Sequence, residues 1–71
     1  MQYLVIYEKG ENSCGAYVPD LPGCAAVGES MDEARRLITE AIQFHIERLR
    51  ENGCVVPLPS STVGFIDVAA V

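Results

Sequence analysis

The sequence predicts a small α+β domain ordered β-β-β-α-β, with three to four strands in one sheet and one long helix on one face. Two patterns carry that expectation. Short runs of β-branched, aromatic and small apolar residues, interrupted by Gly, Pro and Asn, fill the first thirty positions. A stretch with apolar residues at helical spacing follows, opened by a capping signal and closed by Asn52-Gly53. Size and composition agree. The 71 residues make a single domain spanning 1–71, and 49% apolar with 21% charged residues is a globular composition.

Residues 3–7, YLVIY, read as the first strand. Tyr3, Val5 and Tyr7 fall on one face, Leu4 and Ile6 on the other. A strand apolar on both sides is normally covered on both. The polar residues 8–14, EKGENSC, form a hairpin loop, and residues 15–18 make a second strand antiparallel to the first. In YVPDLPGC, Pro19 and Pro22 hold Val18 and Leu21 extended. Pro22-Gly23 fits the central positions of a type II turn, where glycine supplies the positive φ. The stretch is therefore a stiff elbow leading into a third strand at 24–28, CAAVG. Asp20 is expected to cap the elbow's own amides.

Ser30-Met31-Asp32-Glu33 matches a capping box, and its two acids suit the positive end of a helix dipole. Ala34, Leu37, Ile38, Ala41, Ile42, His45 and Leu49 share one helix face, with Arg36, Thr39, Gln43 and Glu47 opposite. Asp32 and Arg36 have the spacing of an ion pair. Gly53 terminates the helix, which runs from about 31 to 51 and is about 30 Å long. Residues 54–64, CVVPLPSSTVG, read as a connector, and the apolar run 65–71 as a final strand.

One amphipathic helix covers one side of so thin a sheet. The bare side is then an apolar association surface. Tyr3, Val5 and Tyr7 are the residues expected to mediate self-association, in a homo-oligomer. Ten acids against five bases give a net charge of -5. That argues against binding along a phosphate backbone and suits a basic partner. No run approaches the roughly 20 apolar residues of a membrane helix, and the start lacks a basic signal region, so a cytoplasmic location is expected. Three cysteines, Cys14, Cys24 and Cys54, are an odd number without C-x-x-C spacing and read as reduced thiols.

The search for chemistry is largely negative. Phosphate-binding glycine loops and the G-x-S-x-G elbow are both missing. Ser60-Ser61-Thr62 reads as a solvated linker. His45, the only histidine, reads as a neutral side chain packed at the helix–sheet seam rather than a general base, and Glu47 points elsewhere on the helix. Asp20, Asp67, Glu29 and Glu33 do not converge in the pattern as a two-metal site requires. No catalytic residue, metal or cofactor is expected.

Three stretches, YLVIYEKGE, GAYVPDLPGCAAVGES and DEARRLITEAIQFHIERLRENG, resemble the HicB-like antitoxin family. VPDLPGC followed by a short strand and capping box is the most specific part, and the resemblance covers residues 1 to about 59. It implies a partial RNase H-like fold without a working carboxylate set. It also implies a small basic HicA-type RNA-cleaving toxin as partner, neutralised by occlusion. Full-length members add a C-terminal DNA-binding module, which residues 1–71 do not contain. Tyr17, Asp20, Leu21 and Pro22 at the elbow are the expected partner contacts. Two rival readings stand beside this one. The first is a stand-alone oligomer without another partner. The second is a minimal RNase H-like hydrolase using Asp20, Asp67 or Glu33 with Mg²⁺.

Overall fold

The computed structural model describes residues 1–70. Three strands, β1 (Ile6–Lys9), β2 (Cys14–Tyr17) and β3 (Ala25–Gly28), precede one helix, α1 (Met31–Glu51). The sheet is antiparallel in the order β1-β2-β3. The α+β architecture is the one expected, and its helix has the expected bounds.

The strands are shifted from their sequence positions. The Gly10 amide donates to Ser13 O at 2.8 Å, so a short turn closes the first hairpin. Glu8, Lys9 and Cys14 thereby enter the ladder, with Lys9 opposite Cys14. At the other end β2 bends into the elbow after Tyr17. Residues 3–5 then have no strand to pair with, and β1 begins at Ile6. The final strand expected at 65–71 is not formed: residues 65–70 carry no regular structure, and Val71 lies outside the described residues.

The elbow consists of two consecutive turns. Leu21 N donates to Val18 O, with Pro19 at the first corner, and Cys24 N donates to Leu21 O, with Pro22-Gly23 at the second. Gly23 has φ 83°, as the type II turn requires. Val18 N to Cys24 O closes the pair.

Register decides what each face carries. Tyr7, Ala16 and Ala26 lie side by side, as do Cys14 and Gly28, and this face meets the helix. Cys14, Ala16, Val18, Leu21, Cys24, Ala34 and Ile38 form the core. Mostly small side chains on the sheet let the helix come close. At Gly28 it comes so close that an added Cβ would stand 2.7 Å from Ala34 N. The helix lies over β3 and β2 and reaches β1 least.

Both ends of α1 are built from local signals. Glu33 N donates to Ser30 Oγ at 3.1 Å, and the Glu33 carboxylate accepts from Glu29 N at 2.8 Å. The return bond of the capping box is thus offset by one residue. At the other end Cys54 N donates to Leu49 O and Gly53 N to Arg50 O, with Gly53 at φ 68°, a Schellman termination. Among the described residues Arg36 pairs with Glu40 at 3.6 Å, not with Asp32 as expected.

Candidate partner interface

The side of the sheet away from the helix is assembled by the same register. Ile6, Tyr17 and Ala25 form one row across it, and Glu8, Gly15 and Val27 the next. Val27 is 69% exposed and Tyr17 39%. A bare apolar face with an acid at its margin therefore exists, as the one-helix pattern implies. Tyr3, Val5 and Tyr7 do not lie on it. They pack half-buried against the core from the helix side, beneath the strand the helix covers least. Tyr7 stands opposite Ala16, so the hairpin register turns that set inward and Ile6 outward.

The elbow adjoins this face through Tyr17. Of the four residues expected to touch a partner there, Tyr17 and Pro22 are exposed and Asp20 is half-buried. Leu21 has no exposed surface and is one of the largest buried side chains. Its expectation as a surface contact is corrected. The two turns fold its side chain inward, where it plugs the end of the core.

Asp20 also differs from expectation. Its carboxylate does not cap the elbow. It accepts the amides of Ser60 and Ser61, both at 2.9 Å, and their hydroxyls at 3.1 and 2.7 Å. These donors, led by the backbone of Ser61 and then of Ser60, lower its pKa from 3.8 to about 2. Ser60-Ser61 is thus a latch rather than a solvated linker. Tyr3 Oη adds a tether by donating to Pro57 O. An acid in a tight turn and paired serines after a proline were the available signal. Their separation by forty residues hid the pairing.

Glu33 is spent on the helix cap and Asp20 on the latch, while Asp67 lies on the exposed tail. Among the described residues no three His, Cys, Asp or Glu side chains are grouped to hold a metal. His45 is half-buried on the helix stripe. It lines a groove of about 460 Å³ with Cys24, Phe44 and Arg48, and the Arg48 guanidinium stands over the Phe44 ring at 5.8 Å. Burial pushes the Cys24 thiol up, which keeps it protonated and inert. All three cysteines are free thiols. Among the described residues no helix is long and apolar enough to cross a membrane.

Residues 3–68 match the family described as HicB-like antitoxin of bacterial toxin-antitoxin system. An uncharacterized 14.9 kDa protein of Haemophilus phage HP1 is 39% identical over 67 residues, which cover 94% of this chain and 50% of that protein. A UPF0150 protein of Helicobacter pylori is 46% identical over 41 residues, covering 58% of this chain and 57% of its own. Another, from Archaeoglobus fulgidus, is 38% identical over 50 residues, covering 66% and 70%. The chain thus spans about half the length of the first two relatives. The match embraces all three strands, the elbow, the helix and the latch, so the chain belongs to the HicB-like antitoxin family.

Proposed function

We propose that this chain is a non-enzymatic binding module of the cytoplasm that neutralises a small basic HicA-type RNA-cleaving toxin by covering its RNA-contacting surface. Membership of the antitoxin family is the observation that carries this reading. Three features support the mode of action. The chain is acidic, with net charge -5 and pI about 4.5, which complements a surface evolved for RNA. Its bare sheet face offers Tyr17, Val27, Ala25 and Ile6 for burial. The elbow beside it presents Tyr17 and Pro22 on a backbone fixed by two turns, so little ordering entropy is lost on contact. Asp20 enters indirectly, by holding the C-terminal segment against the elbow. Self-association accompanies this role.

Calorimetric titration with a purified HicA-type toxin tests the proposal. Stoichiometric binding in the nanomolar to micromolar range, weakened about tenfold or more by Val27→Asp, is the expected result; tenfold corresponds to about 1.4 kcal/mol. Absence of binding at every accessible concentration would remove the antitoxin reading.

A further inference from the structure

The two edges of the sheet are unlike. On the β1 side the chain closes on itself: Tyr3 Oη donates to Pro57 O, residues 61–63 lie beside Gln2, Tyr3 and Leu4, and the strand carries Glu8 and Lys9. Charge and a covering segment both guard an edge against further pairing. β3 has neither. It reads AAVG, and no strand lies on its outer side. The ladder fixes where its backbone points. Val18 N donates to Cys24 O, so the pairs bonded to β2 are Val18–Cys24, Ala16–Ala26 and Cys14–Gly28. The N–H and C=O groups of Ala25 and Val27 therefore face outward, and among the described residues none bonds to them. The helix flank above this edge is also unpartnered. Glu33, Leu37, Ala41, Phe44 and Arg48 recur at three- and four-residue spacing and form one row along α1. Ala41, Phe44 and Arg48 line the groove shared with Gly23, Cys24 and Ala25, so the row overlooks the outer side of β3. Phe44 in it is 60% exposed. Gly28 meets the backbone of Glu33 and Ala34, while Gly23 and Cys24 lie by Arg48, so α1 runs opposite to β3.

We propose that β3 pairs antiparallel with β3 of a second copy of this chain, about a two-fold axis at Ala26, joining two sheets into one of six strands. In that register Ala25 of each copy exchanges backbone bonds with Val27 of the other, so every outward group of the strand finds a partner. Ala26 stands opposite Ala26. Charge selects a second copy as the occupant. The chain is acidic, so two copies repel over most of their surface. Across this axis the rows run in opposite directions, and the Glu33 end of each meets the Arg48 end of the other, with Leu37 and Phe44 between them. Glu33 gives one carboxylate oxygen to Glu29 N and keeps the other for that contact. The antiparallel helix dipoles add to it. Spacing fits as well. Each helix lies over β3 and β2, so strands about 4.8 Å apart at the seam set the helix axes about 10 Å apart, a packing distance. The inner side chains at the seam, Cys24, Ala26 and Gly28, are small and leave the contact to the helices. On the outer side Val27 comes to lie beside Ala25 of the other copy, and two bare faces become one. The self-association expected at Tyr3, Val5 and Tyr7 thus moves to the opposite edge.

This inference deepens the self-association part of the binding-module reading and rests on it. Its failure shows in mass and amide protection without toxin, whereas failure of masking shows in toxin binding alone. The seam is smaller than the 20 or so residues a side of a standard interface, so sedimentation from about 10 µM to 1 mM is expected to reveal a monomer–dimer equilibrium. Phe44→Asp is expected to raise its dissociation constant at least about tenfold, and Arg48→Glu, which sets acid against Glu33 of the other copy, at least about threefold. Far-UV circular dichroism of both variants should stay unchanged, since both side chains are exposed in the single chain. Amide exchange identifies the strand. The Ala26 amide is bonded to β2 at any concentration, whereas exchange at Ala25 and Val27 is expected to slow at least about tenfold as the dimer forms. Isotope-filtered NMR on mixed labelled and unlabelled protein is expected to give an intermolecular contact between the Ala26 α-protons. A monomer throughout, a dimer indifferent to both substitutions, a dimer in which the Ala25 and Val27 amides exchange freely, or protection of those amides only on a bound toxin would each overturn it.

Discussion

Asp20 ties two distant parts of the chain together with one carboxylate. Its four donors favour the charged form, so the folded pKa, about 2, lies below the ordinary 3.8. A depressed carboxyl stabilises the fold fully above its ordinary pKa and loses that contribution as pH falls through about 2. A ¹³C titration of the Asp20 carboxyl should therefore have its midpoint near 2, with the Ser60 and Ser61 amide signals moving alongside. A midpoint near 3.8 would mean that the latch does not form in solution. Leu21, the next residue of the elbow, answers to packing instead. Leu21→Ala empties a fully buried site and is expected to cost about 2–5 kcal/mol in urea unfolding. A loss under about 0.5 kcal/mol is the surface-residue result and would contradict its place in the core.

The helix owes its bounds to neighbours in sequence. Ser30→Ala removes the hydroxyl that accepts Glu33 N and should cost about 1 kcal/mol. Gly28→Ala tests the contact beneath that first turn. The backbone of Ala34 and Glu33 meets the new methyl at 2.7–3.0 Å and cannot rotate aside as a side chain would. About 1–3 kcal/mol is expected, and an unchanged urea midpoint would show that the helix sits further from β3. Capping, stripe and αL stop all lie within a few residues of the helix, which is why α1 was legible from Ser30 to Gly53. The turn of the elbow was legible for the same reason, since Pro22-Gly23 dictates it locally. Long-range facts were not. Whether Tyr3-Val5-Tyr7 or Leu4-Ile6 faces inward depends on where the first hairpin closes, at Gly10–Ser13. The Asp20–Ser61 bond spans forty-one residues of sequence. Residues 65–70 are strand-like in composition, but a strand needs an edge, and within one chain none receives them.

The molecule as a whole is an acidic plate with a helix on one side and apolar residues on the other. Ten acids and five bases leave it negative at neutral pH, and the margin of the bare face carries Glu8. In the proposed complex, charge steers the encounter with a basic toxin and burial of Val27 and Tyr17 holds it. The association rate should fall steeply between low and physiological salt, with a much smaller change in dissociation rate, as stopped-flow mixing would reveal. A salt-independent association rate would leave the acidic surface without a role. Of the acids considered for hydrolysis, Glu33 serves the cap and Asp20 the latch, while Asp67 lies on the exposed tail.

Masking is tested most directly by following RNA cleavage by a purified HicA-type toxin while this chain is titrated in. Cleavage should fall in proportion to the chain added and stop near one equivalent, with Val27→Asp needing about tenfold more protein. Undiminished cleavage at saturating concentrations of the folded chain would contradict occlusion as the way this antitoxin-family domain acts.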